Sequence, residues 1–491
     1  MTGGMLVQYA RQSHPPELRA ALFVESEKRL TWLGFFYTDF PNADVYLVGG
    51  TLRDILIGRM PQDIDLVIRN VDPEQLEQWL LQHGAAEFVG RFGTFKFIPH
   101  GCGGSEPIDI ALPRTEFIGD KHESARDSME VKFDPSLSIK DDLARRDFTI
   151  NAMAFDTRRG RLIDPFLGLN DLYANLIQSV LIPEQRFYED ATRILRGLRF
   201  ASQLQFGIEK DTWRAMKANI ALLNNLSMDD DGSHRYVVPR ESIGREFLLG
   251  FVAHPVHTVQ LWKEAKALHL YMPQLAALET QIESDTKSAY HKTLDVLGLL
   301  QKKDIARRHG LSKASPTLLL AGLLSHLEDG PDQAYEICTR LYFHQFPSDH
   351  KAGIDCKRMF WLLKHVHTFN ETDPASMRPS LFEKLFLNQR GAELLTLMHA
   401  HFIASGKHSI ARERLHTAAR IRGELMRHML NEGEDGRLPR LITGKDIKQA
   451  GIEPGPGYRD LLDRVRDAQL TRAIVNRDQA LNLLDAMIAE L

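Results

Sequence analysis

The amino-acid sequence predicts a two-part fold, an α/β head followed by a mostly α-helical remainder. Short apolar runs of strand length occupy roughly the first 165 residues, with candidate strands at 45–48, 64–68, 94–98, 107–112, 129–133 and 153–156. Beyond residue 170 such runs nearly vanish, and leucines recur at helical spacing instead, as at Leu195, Leu198 and Leu204. A series of strands followed by a long helical series indicates a sheet-containing domain joined to helical ones.

The composition excludes several classes of protein. With 491 residues, 43% hydrophobic and 26% charged, the chain is typical of a globular protein of several domains. No apolar run reaches the length of a membrane span, and the N-terminus has no apolar signal core, so we predict a cytoplasmic protein. The three cysteines form no metal-type pair and fit reduced thiols. Because the formal net charge is −4, any nucleic-acid-binding surface must be a local patch.

The first chemically informative stretch is LVGGTLRDILIGRMPQDIDLVI, residues 47–68. An apolar strand leads into Gly49-Gly50, which allows a tight turn with bare backbone N–H groups. Thr51 is predicted to cap the following helix, Gly58 suits its C-terminal end, and its buried stripe comprises Leu52, Ile55 and Leu56. A strand, glycines and a helix N-terminus in this order are typical of a site for an anionic phosphate.

Two aspartates follow this helix on the next strand. Asp63 and Asp65 alternate along a strand and therefore lie on one face, where their carboxylates repel unless a cation lies between them. Mg²⁺ prefers such oxygen ligands, and Asp109, in the strand EPIDIAL, could add a third carboxylate. The alternative is a solvated strand face, since Asp-x-Asp is common by chance.

A second candidate segment is DDLARRDFTINAMAF, residues 141–155. Arg145 and Arg146 can bind triphosphate oxygens while the carboxylate of Asp147 accepts a ribose hydroxyl. In the alternative interpretation this is a capped turn, in which Asp147 and Thr149 bind local backbone.

The third segment, EDATRILRGLRFASQLQF at 189–206, has the pattern of an amphipathic helix. Asp190 and Arg193 are three apart and share a face. An aspartate accepts from an exocyclic amine and an arginine donates to the adjacent ring nitrogen, which matches cytosine and adenine. Uracil and guanine present the reverse pattern, at a penalty of ~1–3 kcal/mol.

Two further arginines of this segment, Arg196 and Arg199, continue at intervals of three and could reach phosphates. The alternative for the whole segment is an ordinary helical ion pair between Glu189 and Arg193, four residues apart.

Together and in this order, the three segments resemble the class II tRNA nucleotidyltransferases, the CCA-adding enzymes of the tRNA nucleotidyltransferase/poly(A) polymerase family, of bacterial type. The segment 164–172 (DPFLGLNDL) is similar to their hinge between head and neck. Residues 240–247 (RESIGREF) are similar to their last motif, except that Ser242 occupies a position where the family usually has arginine. The resemblance covers residues 45–250 and resumes at 441–462 in the tail.

The resemblance implies a nucleotidyltransferase head with a mixed β-sheet, followed by a mostly α-helical neck, body and tail. The implied divisions are an N-terminal extension at 1–28, the head at 29–170, a neck with the nucleotide-selecting helix at 171–255, a body at 256–400 and a tRNA-binding tail at 401–491. It also implies the activity, which is template-independent addition of C, C and A to the 3′ end of tRNA from CTP and ATP, with two Mg²⁺ ions.

Residue roles follow from the same resemblance. Asp63 and Asp65 would bind the metal ions, and Asp109 would help to align the attacking hydroxyl. The implied nucleotide-binding residues are Gly49, Gly50, Arg53, Arg145, Arg146, Asp147, Asn151, Glu189, Asp190, Arg193, Arg196 and Arg199.

Three other functions stay open at the level of sequence. The chain could be an A-adding enzyme that works with a separate CC-adding enzyme, a poly(A) polymerase, or a catalytically weak tRNA-binding protein. Many relatives also carry a metal-binding His-Asp pair in the body. Here Ser325-His326 stands in its place, so we expect no metal there and predict structural or surface roles for His291 and His326.

The remaining predictions concern the helical part. Residues 405–428 contain six basic side chains that could contact tRNA phosphates, or could simply form a solvated helix face: Lys407, Arg412, Arg414, Arg420, Arg422 and Arg427. The polar runs 225–238 and 431–439 are predicted to be a loop and a linker.

Overall fold

The structure is a computed structural model of the chain. It describes residues 15–89, 93–118, 129–228, 232–281, 287–346, 352–432, 438–453 and 455–489. The chain divides into two compact units, the first extending to Ala267 and the second beginning at Leu268. The predicted division into five parts is not tested by this boundary and stays a prediction.

The first unit contains the strands. In chain order these are β1 Asp44–Val48, β2 Ile64–Arg69, β3 Gly84–Val89, β4 Thr94–Pro99, β5 Ile108–Ala111, β6 Arg114–Ile118, β7 Met129–Phe133, β8 Ala154–Asp156, β9 Arg161–Ile163, β10 Leu176–Ile177, β11 Gly207–Ile208, β12 Leu226–Met228 and β13 His234–Tyr236. Within the described ranges, seven of them form a mixed sheet in the order β3-β4-β5-β2-β1-β8-β9. The three pairs β6-β7, β10-β11 and β12-β13 stand apart from this sheet.

Helices cover the sheet and make up the rest of this unit. Their bounds are Pro16–Ser26, Leu33–Asp39, Gly49–Leu56, Pro73–His83, Ile139–Ala144, Gly168–Tyr173, Pro183–Glu189, Thr192–Leu204, Lys210–Asn219, Arg240–Ala253 and Pro255–Glu264, with 3₁₀ turns at Lys28–Leu30, Thr149–Asn151 and Ile220–Asn224. The central strands are buried in consecutive runs, at 45–48 on β1 and 66–68 on β2, which gives the sheet two apolar faces.

The sheet register brings two candidate carboxylates together. Strand β1 pairs antiparallel with β2 and β8, whereas β2 pairs parallel with β5. In this parallel pair Asp65 lies directly opposite Asp109. Neighbouring residues on adjacent strands present side chains to the same face, so both carboxylates lie on one side of the sheet.

The second unit is helical throughout its described residues. The helices are Pro273–Ala277, Ala289–Leu300, Lys303–Arg308, Pro316–Leu324, Gly330–Arg340, Cys356–His365, Thr368–Glu371, Pro379–Phe386, Gln389–Ala404, His408–Glu432, Gly444–Gln449, Pro456–Leu470 and Arg477–Ala489, with Ala267–Tyr271 at the boundary and 3₁₀ turns at Phe343–Gln345 and Pro374–Ser376. Its C-terminal part has a separate apolar cluster that includes Ile447, Val465 and Leu484. Among the helices that the structure describes, none combines the length and hydropathy that crossing a membrane requires.

The predicted fold class, an α/β head followed by helices, is confirmed. All six predicted strands are present within one residue at each end. The edge strands β3 and β9 of the sheet were not predicted, nor were the strands of the three small pairs other than β7. Strand β3 was missed because HGAAEFV has small and polar residues where a buried strand has branched ones, and Gly84 and Glu87 stay partly or fully exposed.

Two predictions of where loops and helices lie were wrong. The run 225–238 is not simply a loop, because β12 and β13 pair across it as an antiparallel ladder, whereas 229–231 lie outside the described residues. The run 189–206 is not one helix, since one helix ends at Glu189 and the next begins at Thr192. Asp190 has extended backbone dihedral angles, φ −146° and ψ 99°, so it separates the two helices. Of the predicted linker 431–439, residues 433–437 lie outside the described part.

Candidate active site

A single large cavity in the first unit contains most of the predicted site residues. Its volume is about 1070 Å³, and every predicted head and neck residue except Glu189 lines it. Further lining residues that sequence reasoning did not select include Thr94, Arg114, Phe200, Arg235 and Tyr236.

The glycine turn forms one wall of this cavity. Gly49 has φ +63°, in the left-handed region that favours glycine, and a Cβ there would approach Arg146 Nη1 to 3.1 Å and Asp65 Oδ2 to 3.3 Å. The helix Gly49–Leu56 therefore begins with its backbone N–H groups beside the carboxylate and the guanidinium. This is the arrangement that suits a phosphate.

Thr51 does not cap this helix as predicted, because the N-cap position belongs to Val48. Its hydroxyl instead accepts from the backbone N–H of Asp65 at 2.8 Å and lies 3.1 Å from the backbone carbonyl of Asp63. Thr51 thus fixes the helix start against strand β2, which carries Asp65 and begins directly after Asp63.

The three carboxylates Asp63, Asp65 and Asp109 all line the cavity. Burial raises the pKa of Asp65; the Arg146 guanidinium opposes this rise, and the charges of Asp109 and Asp63 add to it. Asp109 is half-exposed and accepts from Lys96 Nζ at 3.1 Å. Crowded carboxylates of this kind are stabilised by a cation.

The donor set is compatible with Mg²⁺. Among the described residues, no group of three or more His, Cys, Asp or Glu side chains is arranged to hold a metal ion. Mg²⁺ is usually bound by one or two carboxylates together with water and substrate phosphates. Asp63 and Asp65, next to a phosphate-binding helix start, fit this mode.

Both arginines of the second segment are held by one carboxylate that sequence reasoning missed. Asp142 is fully buried and forms ion pairs with Arg145 at 2.5 Å and with Arg146 at 3.3 Å. Burial would raise the pKa of Asp142, but the two guanidinium groups lower it below the ordinary value. The signal was present as spacings of three and four residues along a helix. Asp142 keeps both arginines directed along the cavity wall.

Asp147 is occupied by protein donors. One carboxylate oxygen accepts from the Phe148 N–H at 2.8 Å and from Asn151 Nδ2 at 3.1 Å, and the other accepts from Arg196 at 2.7 Å. The backbone contact agrees with the capped-turn alternative, although Thr149 binds Asp171 rather than local backbone. Arg196, predicted to reach phosphates, is paired with Asp147.

We expect Asp147→Asn to lower the free energy of unfolding by about 2 kcal/mol at pH 7, because an amide N–H would then face Arg196, whose side chain is 40% exposed. Burial alone would raise the pKa of Asp147, but Arg196 and the hydrogen bonds lower it from 3.8 to about 2. Since the pKa of Asp147 is lower in the folded state, the stabilisation that its ionised carboxylate provides is complete above about pH 4. It is lost as the pH falls towards about 2.

Urea unfolding at several pH values, followed by tryptophan fluorescence, measures this difference. Asp211→Asn is the matched control, because Asp211 forms a well-exposed ion pair with Arg214 and should change stability little. A wild-type advantage over Asp147→Asn that already shrinks between pH 7 and pH 5 would contradict the assignment.

The pair Asp190 and Arg193 is brought together by two helices rather than one. Asp190 Oδ1 accepts from the Thr192 N–H at 2.9 Å and from its hydroxyl at 2.5 Å, so it caps the second helix. Arg193 donates to the Arg145 carbonyl at 3.0 Å and to Glu189 at 3.1 Å. The ion pair between Glu189 and Arg193, the alternative considered above, is therefore present. It orients Arg193, and both Arg193 and Asp190 line the cavity.

A cluster of cations surrounds Phe200 on the neck helix Thr192–Leu204. The guanidinium carbons of Arg199, Arg53 and Arg196 lie 4.1, 5.3 and 5.4 Å from its ring centroid. Arg53 also donates to Asn151 Oδ1 at 2.9 Å, and Arg199 pairs with Glu246 at 2.5 Å. Arg53 also pairs with Asp54 at 2.7 Å, and Arg196 pairs with Asp147 at 2.7 Å, so a carboxylate holds each of the three guanidinium groups beside the ring.

The predicted basic stripe of the tail is only partly formed. On the helix His408–Glu432, Arg412, Arg420 and Arg427 are exposed and fall within about 80° of one another around the helix axis. Arg414 and Arg422 are half-buried on other faces, and burial lowers the pKa of Arg422. Lys407 precedes the helix.

The histidines of the body are internally bonded. His291 Nδ1 lies 2.8 Å from Ser288 Oγ, and His326 Nδ1 lies 3.1 Å from Thr293 Oγ1. The His326 ring stacks on His401 with centroids 4.2 Å apart. These contacts agree with the expected structural role.

Comparison with known proteins gives the same assignment for the head. Residues 45–178 match the model of the poly A polymerase head domain. Over 186 residues the chain is 38% identical to the CCA-adding enzyme of Ligilactobacillus salivarius and 37% identical to that of Streptococcus pyogenes. Each match covers 38% of this chain and 43% of the relative, so the alignment spans less than half the length of these relatives.

Solved structures are similar over nearly the whole chain. The CCA-adding enzyme of Bacillus stearothermophilus, in complex with CTP, superposes with a TM-score of 0.60 at 21% identity, covering 97% of this chain and 98% of that one. The Thermotoga maritima CCA-adding enzyme, complexed with tRNA, superposes with a TM-score of 0.58 at 20% identity, covering 98% of each chain.

The sheet and the cavity thus define a nucleotidyltransferase type of head. Residues 45–178 match a poly A polymerase head domain, and the chain has the fold of the CCA-adding enzymes. The resemblance predicted from the sequence motifs is confirmed.

Proposed function

We propose that the protein adds C, C and A to the 3′ end of tRNA, using CTP and ATP and no nucleic-acid template. One observation carries this proposal: the carboxylates, the glycine helix start, Arg145-Arg146 and the Asp190–Arg193 pair all line one cavity. Named CCA-adding enzymes, 35–38% identical over the aligned region, support it.

In the proposed reaction the tRNA 3′-hydroxyl attacks the α-phosphate of the nucleotide. A bond forms between this oxygen and phosphorus, the bond from the α-phosphorus to its bridging oxygen breaks, and pyrophosphate leaves as the hydroxyl proton is released. Mg²⁺ held by Asp63 and Asp65, as two ions in this family, would lower the pKa of the hydroxyl and neutralise the leaving group. Asp109 helps to align the hydroxyl.

The chain's own residues bind and orient the nucleotide. The N–H groups of Gly49 and Gly50, with Arg53, bind the triphosphate end. Arg145 and Arg146, fixed by Asp142, contact phosphate and ribose oxygens, and Asn151 and Asp147 hold Arg53 and Arg196 in place. The positive charges thus meet the substrate in a preformed arrangement.

Asp190 and Arg193 select the base. Because Arg193 is fixed by the Arg145 carbonyl and Glu189, it presents its donors in one orientation. Together with Asp190 it matches the N4–H₂ and N3 edge of cytosine and the N6–H₂ and N1 edge of adenine.

For tRNA we propose backbone contacts in the tail, centred on the exposed arginines Arg412, Arg420 and Arg427. Arg414, Arg422 and Lys407 belong to the same basic segment but face other directions or precede the helix. The three free thiols fit a reducing compartment, so we propose the cytoplasm as the location. We also keep the five proposed divisions, with the head at 29–170 and the neck at 171–255.

Three tRNA transcripts, ending at the discriminator base, at C and at CC, test the function. Each is incubated with Mg²⁺ and labelled CTP, ATP, UTP or GTP. We expect extension of all three to CCA, with UTP and GTP refused. A single A added only to the CC end would indicate an A-adding enzyme, long A tails a poly(A) polymerase, and no incorporation a tRNA-binding protein.

A further inference from the structure

The β12–β13 hairpin contributes an aromatic side chain to the active-site cavity. Arg235, Tyr236 and Val237 line the cavity beside Pro239 and Ser242. None of the sequence motifs for metal, phosphate or base recognition includes this hairpin. Its chemical role is therefore separate from the roles assigned above.

Tyr236 is held from one side by a cation. The Arg240 guanidinium carbon lies 3.6 Å from the centroid of the Tyr236 ring. Arg240 in turn donates to Asn224 Oδ1 at 2.8 Å, and the backbone N–H of Val237 donates to the Asn225 carbonyl at 2.9 Å. The ring is fixed against a guanidinium, yet it is 44% exposed. A fixed aromatic ring with an exposed surface is suited to stacking.

The exposed apolar surface continues along the hairpin. Tyr236 pairs with Leu226 and His234 pairs with Met228, so these four side chains share one face of the ladder. Leu226 and Met228 are 54% and 56% exposed, and neither lines the cavity. The exposed surface thus begins in the cavity at Tyr236 and extends beyond it. An RNA chain that enters the cavity also extends beyond it, whereas a single nucleotide does not.

The cavity is wide enough for its walls to serve different ligands. Its volume of about 1070 Å³ lies at the upper end of the range of roughly 300–1,000 Å³ that is usual for a small-molecule site, and the hairpin residues line it together with the phosphate-binding ones. The Asp190–Arg193 pair and the phosphate-binding residues account for the incoming nucleoside triphosphate. The hairpin wall is then available for the RNA end that attacks it.

We propose that Tyr236, backed by Arg240, is the stacking platform for the 3′-terminal base of the RNA. This inference rests on the proposed function and names the residue that positions its second substrate. Stacking suits the task, because the terminal base is any discriminator nucleotide before the first addition and cytosine after it. Every base has an aromatic face, whereas edge-on hydrogen bonds would accept only some of them.

Steady-state kinetics test the proposal. We expect Tyr236→Ala to raise the apparent KM for tRNA roughly tenfold, with the KM for CTP unchanged within about twofold. Tyr236→Phe keeps the ring and should behave as the wild type, whereas Tyr236→Leu keeps the bulk but not the aromatic face and should resemble alanine. Tyr173→Ala is the matched control, since Tyr173 is 53% exposed and does not line the cavity.

A binding measurement without nucleotides separates stacking from folding. An RNA with 2-aminopurine at its 3′ end should be quenched on binding to the wild type and to Tyr236→Phe, but not to Tyr236→Ala or Tyr236→Leu. The same label placed five nucleotides inside should respond equally to all four. If the wild type adds nucleotides and Tyr236→Ala matches it in KM and in quenching, the platform is refuted and the proposed function stands. If the wild type adds none, the proposed function itself has failed.

Discussion

Asp65→Asn is expected to lower kcat/KM for CTP at least a thousandfold while leaving the protein at least as stable as the wild type. A thousandfold loss corresponds to about 4 kcal/mol of transition-state stabilisation, within the several kcal/mol that metal-ion catalysis supplies. The Asp65 carboxylate is half-buried beside Asp109 and Asp63, a position that is unfavourable for folding and favourable for cation binding.

The stability half of this prediction follows from the sign of the pKa shift. Burial, as the largest cause, raises the pKa of Asp65, so the folded state binds the proton more tightly than the unfolded state does. The ionised form of Asp65 therefore opposes folding. Asparagine has the same shape, keeps an oxygen for the Thr51 hydroxyl at 3.3 Å, and removes that charge.

Nucleotide incorporation and thermal unfolding on the same preparations provide the measurement. Asp63→Asn should be equally inactive, and Asp211→Asn, at a well-exposed ion pair, should be active and stable. Full activity of Asp65→Asn would contradict the assignment of Asp65 as a metal ligand. An inactive variant that also melts earlier would contradict the stability argument, and Asp63→Asn would then test the catalytic argument separately.

The sequence predicted those features whose chemistry is local. Gly49-Gly50, Asp63 and Asp65 lie within 17 consecutive residues, and the strand–glycine–helix pattern determines their relative positions. Asp109 could be assigned to a strand, but its place directly opposite Asp65 depends on a parallel pairing that no local pattern encodes.

The features that could not be predicted from the sequence depend on tertiary packing or on an interruption between two helices. Spacing of three residues suggested that Asp190 and Arg193 share a helix, although the helix begins only at Thr192, because Asp190 caps it. Tyr236 lies in a polar run typical of a loop. Its pairing with Leu226 and its stack on Arg240 bring together segments whose individual propensities are weak.

Six arginines and lysines in one segment likewise suggested a continuous stripe. The apolar positions of the helix His408–Glu432 determine which of them are exposed, and only Arg412, Arg420 and Arg427 share an exposed face. A count of charges overestimates a binding surface whenever the helix also has to bury one side.

Asp190→Asn is expected to reduce the preference for CTP over UTP about 10- to 100-fold, the factor that corresponds to ~1–3 kcal/mol for a reversed hydrogen-bond pattern. The asparagine oxygen can still accept from the Thr192 N–H, so the cap that starts the helix is kept. Its amide N–H₂ replaces the second carboxylate oxygen. The variant then presents a donor where cytosine and adenine also present donors, and where uracil and guanine present carbonyl oxygens.

The measurement is kcat/KM for each of the four nucleotides on a tRNA ending at the discriminator base. Asp190→Ala removes acceptor and donor together, so it should lose CTP use without improving UTP use. Thr192→Ala weakens the cap but leaves the carboxylate, and its CTP preference should stay close to that of the wild type. If Asp190→Asn keeps the wild-type ratio while Thr192→Ala loses activity, Asp190 serves only to start the helix, and base selection must come from Arg193 and the rest of the cavity wall.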